Sequence, residues 1–178
     1  MTDVFLERAW PTPVTMADVR GMVEAEDGCF GLHRVEWCAS YLSSDARELL
    51  CHFRGPDAES VRIALRQAGA DLSNLWSGTV HDAPGVSAAE VASANVVVVR
   101  TFDAPFALEE MQARSRASLG CLQIHRVTYL RTFFSNNRQR MMCLFRAPDA
   151  ESVRIAQREA QLPVERAWAV RRLGRDTL

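Results

Sequence analysis

The chain has no lysine; all 21 of its basic residues are arginine. That absence removes the amine needed for Schiff-base chemistry. A bound anion would be met instead by guanidinium forks, backbone N–H groups or a metal. Net charge is nearly absent too, at −1 with 22 acidic side chains against the 21 arginines. No positive field is there to draw nucleic acid or an anionic membrane, so neither is expected as a partner. Long apolar runs are missing: Val96 to Val99 falls far short of the roughly 20 residues that cross a bilayer. The opening Met1-Thr2-Asp3 places no basic region before an apolar stretch, so no secretion signal is expected. Cysteine is scarce and odd in number, at Cys29, Cys38, Cys51, Cys121 and Cys143. Without a CxxC pair, the common zinc-ribbon and thioredoxin spacings are excluded. Reduced thiols and a cytoplasmic location are the expectation. GxGxxG, Walker A, HExxH and GxSxG patterns are also lacking. What remains is 178 residues, 48% hydrophobic and 24% charged, the composition of an ordinary globular chain.

The chain is written twice. Arg54-Gly55-Pro56-Asp57-Ala58-Glu59-Ser60-Val61-Arg62-Ile63-Ala64 returns as Arg146-Ala147-Pro148-Asp149-Ala150-Glu151-Ser152-Val153-Arg154-Ile155-Ala156, 92 positions later. The same offset carries Cys29 to Cys121, His33 to His125, Arg34 to Arg126, Cys51 to Cys143 and Trp76 to Trp168. Residues 4–80 align with 96–172 without a gap. Such self-similarity means one structural unit used twice. The units are expected at residues 1–80 and 96–178, joined by a linker over 81–95 that is rich in Ala, Ser, Pro and Gly.

Each copy reads in the same order. Residues 4–8 and 96–100 form a branched apolar first strand. Residues 15–27 and 107–119 carry helical periodicity, with Gly28 and Gly120 as C-terminal stops. Residues 31–42 and 122–134 alternate as a long strand, and turns at Ser43-Ser44-Asp45 and Ser135-Asn136-Asn137 send the chain back. Pro56-Asp57 and Pro148-Asp149 open a second helix, and Trp76 and Trp168 begin a last strand. The order βαββαβ is that of the ferredoxin-like split unit. Its sheet carries helices on one face and leaves the other uncovered. The expected fold is therefore α+β, with the two ferredoxin-like units packed as a pseudo-symmetric dimeric α+β barrel. The chain would act as a monomer with an internal pseudo-dimer, or as a homodimer.

Specific runs extend the reading. They are Arg100-Thr101-Phe102, Trp37-Cys38-Ala39-Ser40-Tyr41, Cys143-Leu144-Phe145-Arg146-Ala147-Pro148-Asp149-Ala150-Glu151-Ser152-Val153 and the tail Leu162-Pro163-Val164-Glu165-Arg166. Together they resemble a small bacterial family of ferredoxin-like proteins named for a nickel-binding Streptomyces member. The first copy lacks the tail and has Ala70-Asp71-Leu72-Ser73-Asn74 in its place. The resemblance implies the fold, and with it nickel as a ligand. By fold analogy alone, the related dimeric α+β barrels add monooxygenases, isomerases and haem proteins.

The candidate residues come in duplicated pairs. His33 and His125 could be general bases or metal ligands. With Cys29 and Cys121, four positions before each, they would make an N/S set for nickel or zinc. The alternative for each His is a half-buried ring hydrogen-bonded to backbone. Alternation on the long strand would place His33, Val35, Trp37 and Tyr41 on one face, and His125, Val127, Tyr129 and Phe133 likewise. Arg8, Arg34, Arg54, Arg100, Arg126 and Arg146 could clamp a carboxylate or phosphate on a small ligand, beside Trp37, Tyr41 and Tyr129. The alternative for the arginines is salt bridges to Glu7, Glu36 or Asp57, or a solvated strand edge. Cys51 and Cys143 are expected in the core with Phe53 and Phe145. The single-copy His52 and His81 support no symmetric site. The expected function is binding of a small ligand or a nickel-type metal between the halves. An isomerase, lyase or oxygenase on a small anionic or aromatic substrate is the alternative, with His33 and His125 catalytic. A structural or interaction module is a third reading, and haem a further possibility.

Overall fold

The structure, a computed structural model, describes residues 1–175 and 177, without the side chains of Glu26 and Ser115. The fold class is mixed α+β. Eight strands follow one another in a closed antiparallel barrel in the order β1-β3-β2-β8-β5-β7-β6-β4, where the strands are β1 (Thr2–Ala9), β2 (Glu36–Ser43), β3 (Glu48–Gly55), β4 (Leu75–Asp82), β5 (Val96–Thr101), β6 (Thr128–Ser135), β7 (Arg140–Arg146) and β8 (Arg166–Leu173). Contacts divide the chain into a first unit, Met1–Gly78 with Arg171–Leu178, and a second, Thr79–Val170. Residues 81–95, expected as a linker, hold the end of β4 and the short helix α3 (Ala88–Ala92).

In the first unit β1 is the centre of the sheet. It pairs with β3 from Thr2↔Gly55 to Ala9↔Glu48 and with β4 from Asp3↔Gly78 to Leu6↔Leu75, while β2 pairs with β3. Strand alternation sends Val4 and Leu6 to one face with Cys51 and Phe53. There they meet α1 (Met16–His33) and α2 (Ala58–Gln67) around Val19, Phe30, Val61, Ala64 and Leu65. Cys51 and, in the second unit, Cys143 are core residues, as their pattern indicates. The second unit repeats the arrangement, with β5 between β7 and β8, β6 against β7, and helices α4 (Leu108–Ala117), α5 (Leu119–Ile124) and α6 (Ala150–Glu159).

Helix ends differ from the sequence expectation. α1 begins where it should: Thr15 Oγ1 accepts from the Asp18 N–H, and Asp18 Oδ2 accepts from the Thr15 N–H, a capping box. Gly28 does not stop it, because the apolar periodicity continues through to Phe30, which is buried in the core. A glycine inside a helix costs only about 1 kcal/mol, less than burying Phe30 returns. The helix stops at Arg34, in the left-handed region at φ 56°, with the Val35 N–H bonded to Phe30 O at 2.9 Å. In the second unit Gly120 lies inside α5, and Arg126 takes the left-handed position at φ 56°. The strands therefore start at Glu36 and Thr128 rather than near residues 31 and 122. His33 and His125 belong to helix ends, not to a sheet face.

Each long strand also carries a bulge. Trp37 pairs with Phe53, but Ala39 pairs with His52, and Tyr129 pairs with Phe145, but Arg131 with Leu144. One extra residue reverses the alternation. Trp37 thus joins the helix-side core, whereas Tyr41, paired with Leu50, faces away from the helices. Tyr129 and Phe133 are separated in the same way. The single face expected to bear all these aromatics is divided between the two sides of the sheet.

Candidate functional site

The duplicated histidines are held by neighbouring helices. His33 Nε2 lies 2.9 Å from Gln67 Oε1, and His125 Nε2 lies 2.8 Å from Glu159 Oε2. Gln67 and Glu159 end α2 and α6, which places each imidazole against the C-terminal turn of the unit's other long helix. Cys29 and Cys121 sit four residues earlier, one helical turn away, partly exposed and free. Among the described residues no three or more His, Cys, Asp or Glu side chains form a group able to hold a metal ion.

The arginines part company. Arg34 and Arg126 are exposed helix caps whose backbone conformation is the structural feature. Arg146 is exposed, and Arg54 Nε approaches Asp3 Oδ1 at 3.5 Å. Trp37 is buried and donates from Nε1 to Ser40 Oγ at 2.9 Å. Tyr41 is buried on the other face. Tyr129 donates toward Thr132 Oγ1 at 2.9 Å, with His81 O at 3.2 Å. Burial, with the nearby Cys143 thiol and Asp82 adding to it against the Thr132 bond, pushes the Tyr129 phenol well above its ordinary range, so it stays protonated.

Arg8 and Arg100 are the pair that matters. Both leave their strand toward the helices. Arg100 is 2% exposed. It donates from Nε to Pro163 O at 2.7 Å, from Nη1 to Cys143 Sγ at 3.0 Å and from Nη2 to Gln157 Oε1 at 2.5 Å. In the first unit one of these acceptors is lost by sequence, since position 65 is Leu where the second copy has Gln157; position 71 is Asp where it has Pro163, whose acceptor is the backbone carbonyl. Arg8 Nη1 donates to Met22 Sδ at 3.2 Å. Beside it opens a cleft of about 320 Å³, lined by residues 7–10 (Glu7 and Arg8 among them), Met22, Asp71, Ser73 and Asn74 and by residues 68–70 past the end of α2. In the second unit, Leu162 is buried in the core at the position of Ala70 and Pro163 follows it. Asp71 accepts from Ser73 Oγ and from the Ser73 N–H; these bonds, and more weakly the Arg8 charge, hold its carboxyl below the ordinary value.

A second cluster went unread in the sequence. On the face of the first unit's sheet away from the helices, His52, 2% exposed, has Nε2 2.7 Å from Asp3 Oδ1. Its ring stacks on Phe5 at 4.9 Å, Phe5 stacks on Trp76 at 4.4 Å, and Trp76 Nε1 donates to Glu7 Oε1 at 2.7 Å. The second copy has Asn95, Val97, Val99 and Leu144 at the positions of Asp3, Phe5, Glu7 and His52. A search for symmetric pairs passes over such a set. The alternation Asp3, Phe5, Glu7 is its one sequence signal.

These features define an α+β barrel assembled from two copies of one unit. A family model matches residues 5–77 and again residues 97–170, and the chain belongs to that family, described as nickel responsive protein SCO4226-like. No curated protein matches the chain in sequence. The solved structure of SCO4226 from Streptomyces coelicolor A3(2) is 15% identical, covers 48% of this chain and 99% of its own, and has a TM-score of 0.38. A putative chlorite dismutase, TA0507, is 11% identical over 97% of this chain and 94% of its own, with a TM-score of 0.54; that likeness shows the barrel fold. A haem-binding protein from Thermus thermophilus is 9% identical over 99% of this chain and 92% of its own, at a TM-score of 0.49.

Proposed function

We propose that this protein binds a small anionic molecule in the cleft of its first unit, with Arg8 as the residue that meets the anion. The observation that carries this reading is the contrast between the two equivalent arginines. Arg100 is buried on three protein acceptors, whereas Arg8 lines an open cleft of about 320 Å³. A guanidinium presents a planar fork that a carboxylate or phosphate matches with two hydrogen bonds. Trp10 and Met22 supply apolar wall for the rest of the molecule. The volume lies at the lower end of the range for small-molecule sites, which suits a ligand of modest size.

The family's description names nickel. The best donor set is His125 with Glu159, and Cys121 one turn away; the other copy offers His33, Cys29 and the neutral Gln67. A closed nickel or zinc centre needs four or more donors, and the described residues do not fit one. Haem fits the cleft poorly, since His, Cys and Tyr are missing from its lining residues. All five cysteines are thiols rather than disulfide partners, which supports the cytoplasm as the location. No helix among the described residues is long and apolar enough to cross a membrane.

A thermal-shift screen of small carboxylates and phosphates against wild type and Arg8→Gln tests the reading. A concentration-dependent rise in Tm that the variant loses is the expected result. No shift with any anion, together with stoichiometric Ni²⁺ that survives dialysis in wild type and is lost in His125→Ala, would replace it with a metal-binding reading.

A further inference from the structure

The segment that begins at Arg171 groups with Met1–Gly78 in the first unit, and it runs beside α1. Leu173 is 1% exposed and lies in that unit's core cluster with Val19 and Phe30 of α1. On either side of it an arginine reaches the helix. Arg171 Nη2 donates to Met16 Sδ, and Arg175 Nη2 donates to Asp27 Oδ1 at 2.9 Å. The two spans agree with parallel neighbours. Met16 to Asp27 rises about 16 Å along a helix, and Arg171 to Arg175 reaches up to about 13 Å when extended. Long arginine side chains cover the difference. The pair Arg171–Met16 lies outside the residues that line the Arg8 cleft.

The contact is chemically uneven. A guanidinium is a charged donor, and a thioether sulfur is a weak acceptor. A hydroperoxide would change that. A sulfur lone pair attacks one peroxide oxygen, the O–O bond breaks and an S–O bond forms. The departing oxygen takes up the proton of the transferred one and leaves as water or an alcohol. Sulfur is oxidised by two electrons and the peroxide is reduced by two. The product is a sulfoxide, polar and reducible again. Its oxygen is a better acceptor for a guanidinium than the sulfur that bears it. Met16 is half-buried at the first residue of α1, held in place by the Thr15–Asp18 capping box. By contrast Met111, Met141 and Met142 are at most 4% exposed. The second copy has Leu108 at the position of Met16, and the first has Thr79 at the position of Arg171. The pair is therefore not a leftover of the duplication. We infer that Met16 is a site of reversible peroxide oxidation, and that its sulfoxide latches the C-terminal segment onto α1 through Arg171.

Hydrogen peroxide, applied to the full folded chain, is the probe. Peptide mapping by mass spectrometry should show Met16 converted at least about tenfold faster than Met111, Met141 or Met142. Amide hydrogen exchange of residues 171–175 should then slow by about five- to tenfold, the effect of one added charge-assisted bond at a partly exposed site. Methionine sulfoxide reductases for both epimers should restore the original rate. Met16→Leu installs the second copy's own residue. That variant and Arg171→Ala should each lose the slowing, although Met1 and Met22 still oxidise. Conversion of Met16 no faster than that of the buried methionines overturns the inference. So does exchange of residues 171–175 that is unchanged or faster once Met16 is oxidised, and so does slowing that survives in either variant.

Discussion

Arg100 donates to Gln157 across 2.5 Å inside the second unit, and the residue that corresponds to Gln157 in the first unit is Leu65, a buried core residue. The two copies therefore give the same strand arginine opposite circumstances. In one it is a structural hydrogen-bonding centre; in the other it lines a cleft. Removing Arg100 strands the buried Gln157 Oε1 and takes a donor from Pro163 O, while Cys143 Sγ keeps Thr132 Oγ1 at 3.1 Å. Arg100→Ala should cost about 2–4 kcal/mol of folding stability. Arg8→Ala should cost less, because Arg8 is half-buried beside a cleft whereas Arg100 is 2% exposed. Urea unfolding of the two variants measures the difference. Equal losses would mean that Arg8 is as structural as Arg100.

The extension of α1 past Gly28 can be checked by substitution. A Cβ at Gly28 meets nothing within 4 Å, and the residue is within the helix. Gly28→Ala should stabilise the protein by about 0.5–1 kcal/mol. Gly69 has equally open space but sits at φ +77°, so Gly69→Ala should destabilise by about 1 kcal/mol. Were Gly28 a left-handed helix stop, both changes would destabilise.

Asp3 supplies a pH dependence with a definite sign. Burial alone would raise its carboxyl, but the hydrogen bond and charge of His52, with Arg54 beside it, carry it below the ordinary value of 3.8. A carboxylate whose folded value is depressed adds stability that is complete above its unfolded value and is lost as pH falls through the folded one. The stability difference between wild type and Asp3→Asn should thus be steady down to about pH 4 and shrink below it. Guanidinium unfolding in steps from pH 6 to pH 2.5 measures this. A gap that widens on acidification would contradict the assignment.

Trp76 and Trp168 offer a matched pair. Trp76 donates to Glu7. Trp168 faces a copy with Val99 at that place, and its buried Nε1 has no partner among the described residues. Glu7→Val, the second copy's own residue, should therefore cost about 1–2 kcal/mol, while Glu7→Gln, which keeps an acceptor, should cost less than half of that. Denaturant titration followed by tryptophan fluorescence distinguishes them.

Much of the fold could be read from the chain because the repeat supplied each pattern twice. Pro56-Asp57 and Pro148-Asp149 open helices capped by Asp57 and Asp149, as their spacing indicates. Cys51 and Phe53 share the core face that alternation assigns them. Two local features resisted reading. A helix that runs through Gly28 and Gly31 contradicts their propensity and is decided by packing of Phe30. A one-residue bulge at Trp37–Ala39 has no composition of its own, yet it reverses every side chain after it. Both features moved the expected site. His33 and His125 went to helix ends, and the aromatic face was split. The Arg8 cleft was legible in one respect only, as the place where the first copy departs from the second copy's tail. Symmetry between copies points to His33 and His125, whereas the cleft at Arg8 and the His52–Asp3 cluster lie where the copies disagree.

A crystal structure of the full chain soaked with the best-binding acid from the thermal-shift screen tests the central claim most directly. The account predicts its carboxylate within hydrogen-bonding distance of the Arg8 guanidinium, with the rest of the molecule between Trp10 and Met22. A ligand bound elsewhere, with Arg8 still turned to Met22, would contradict it.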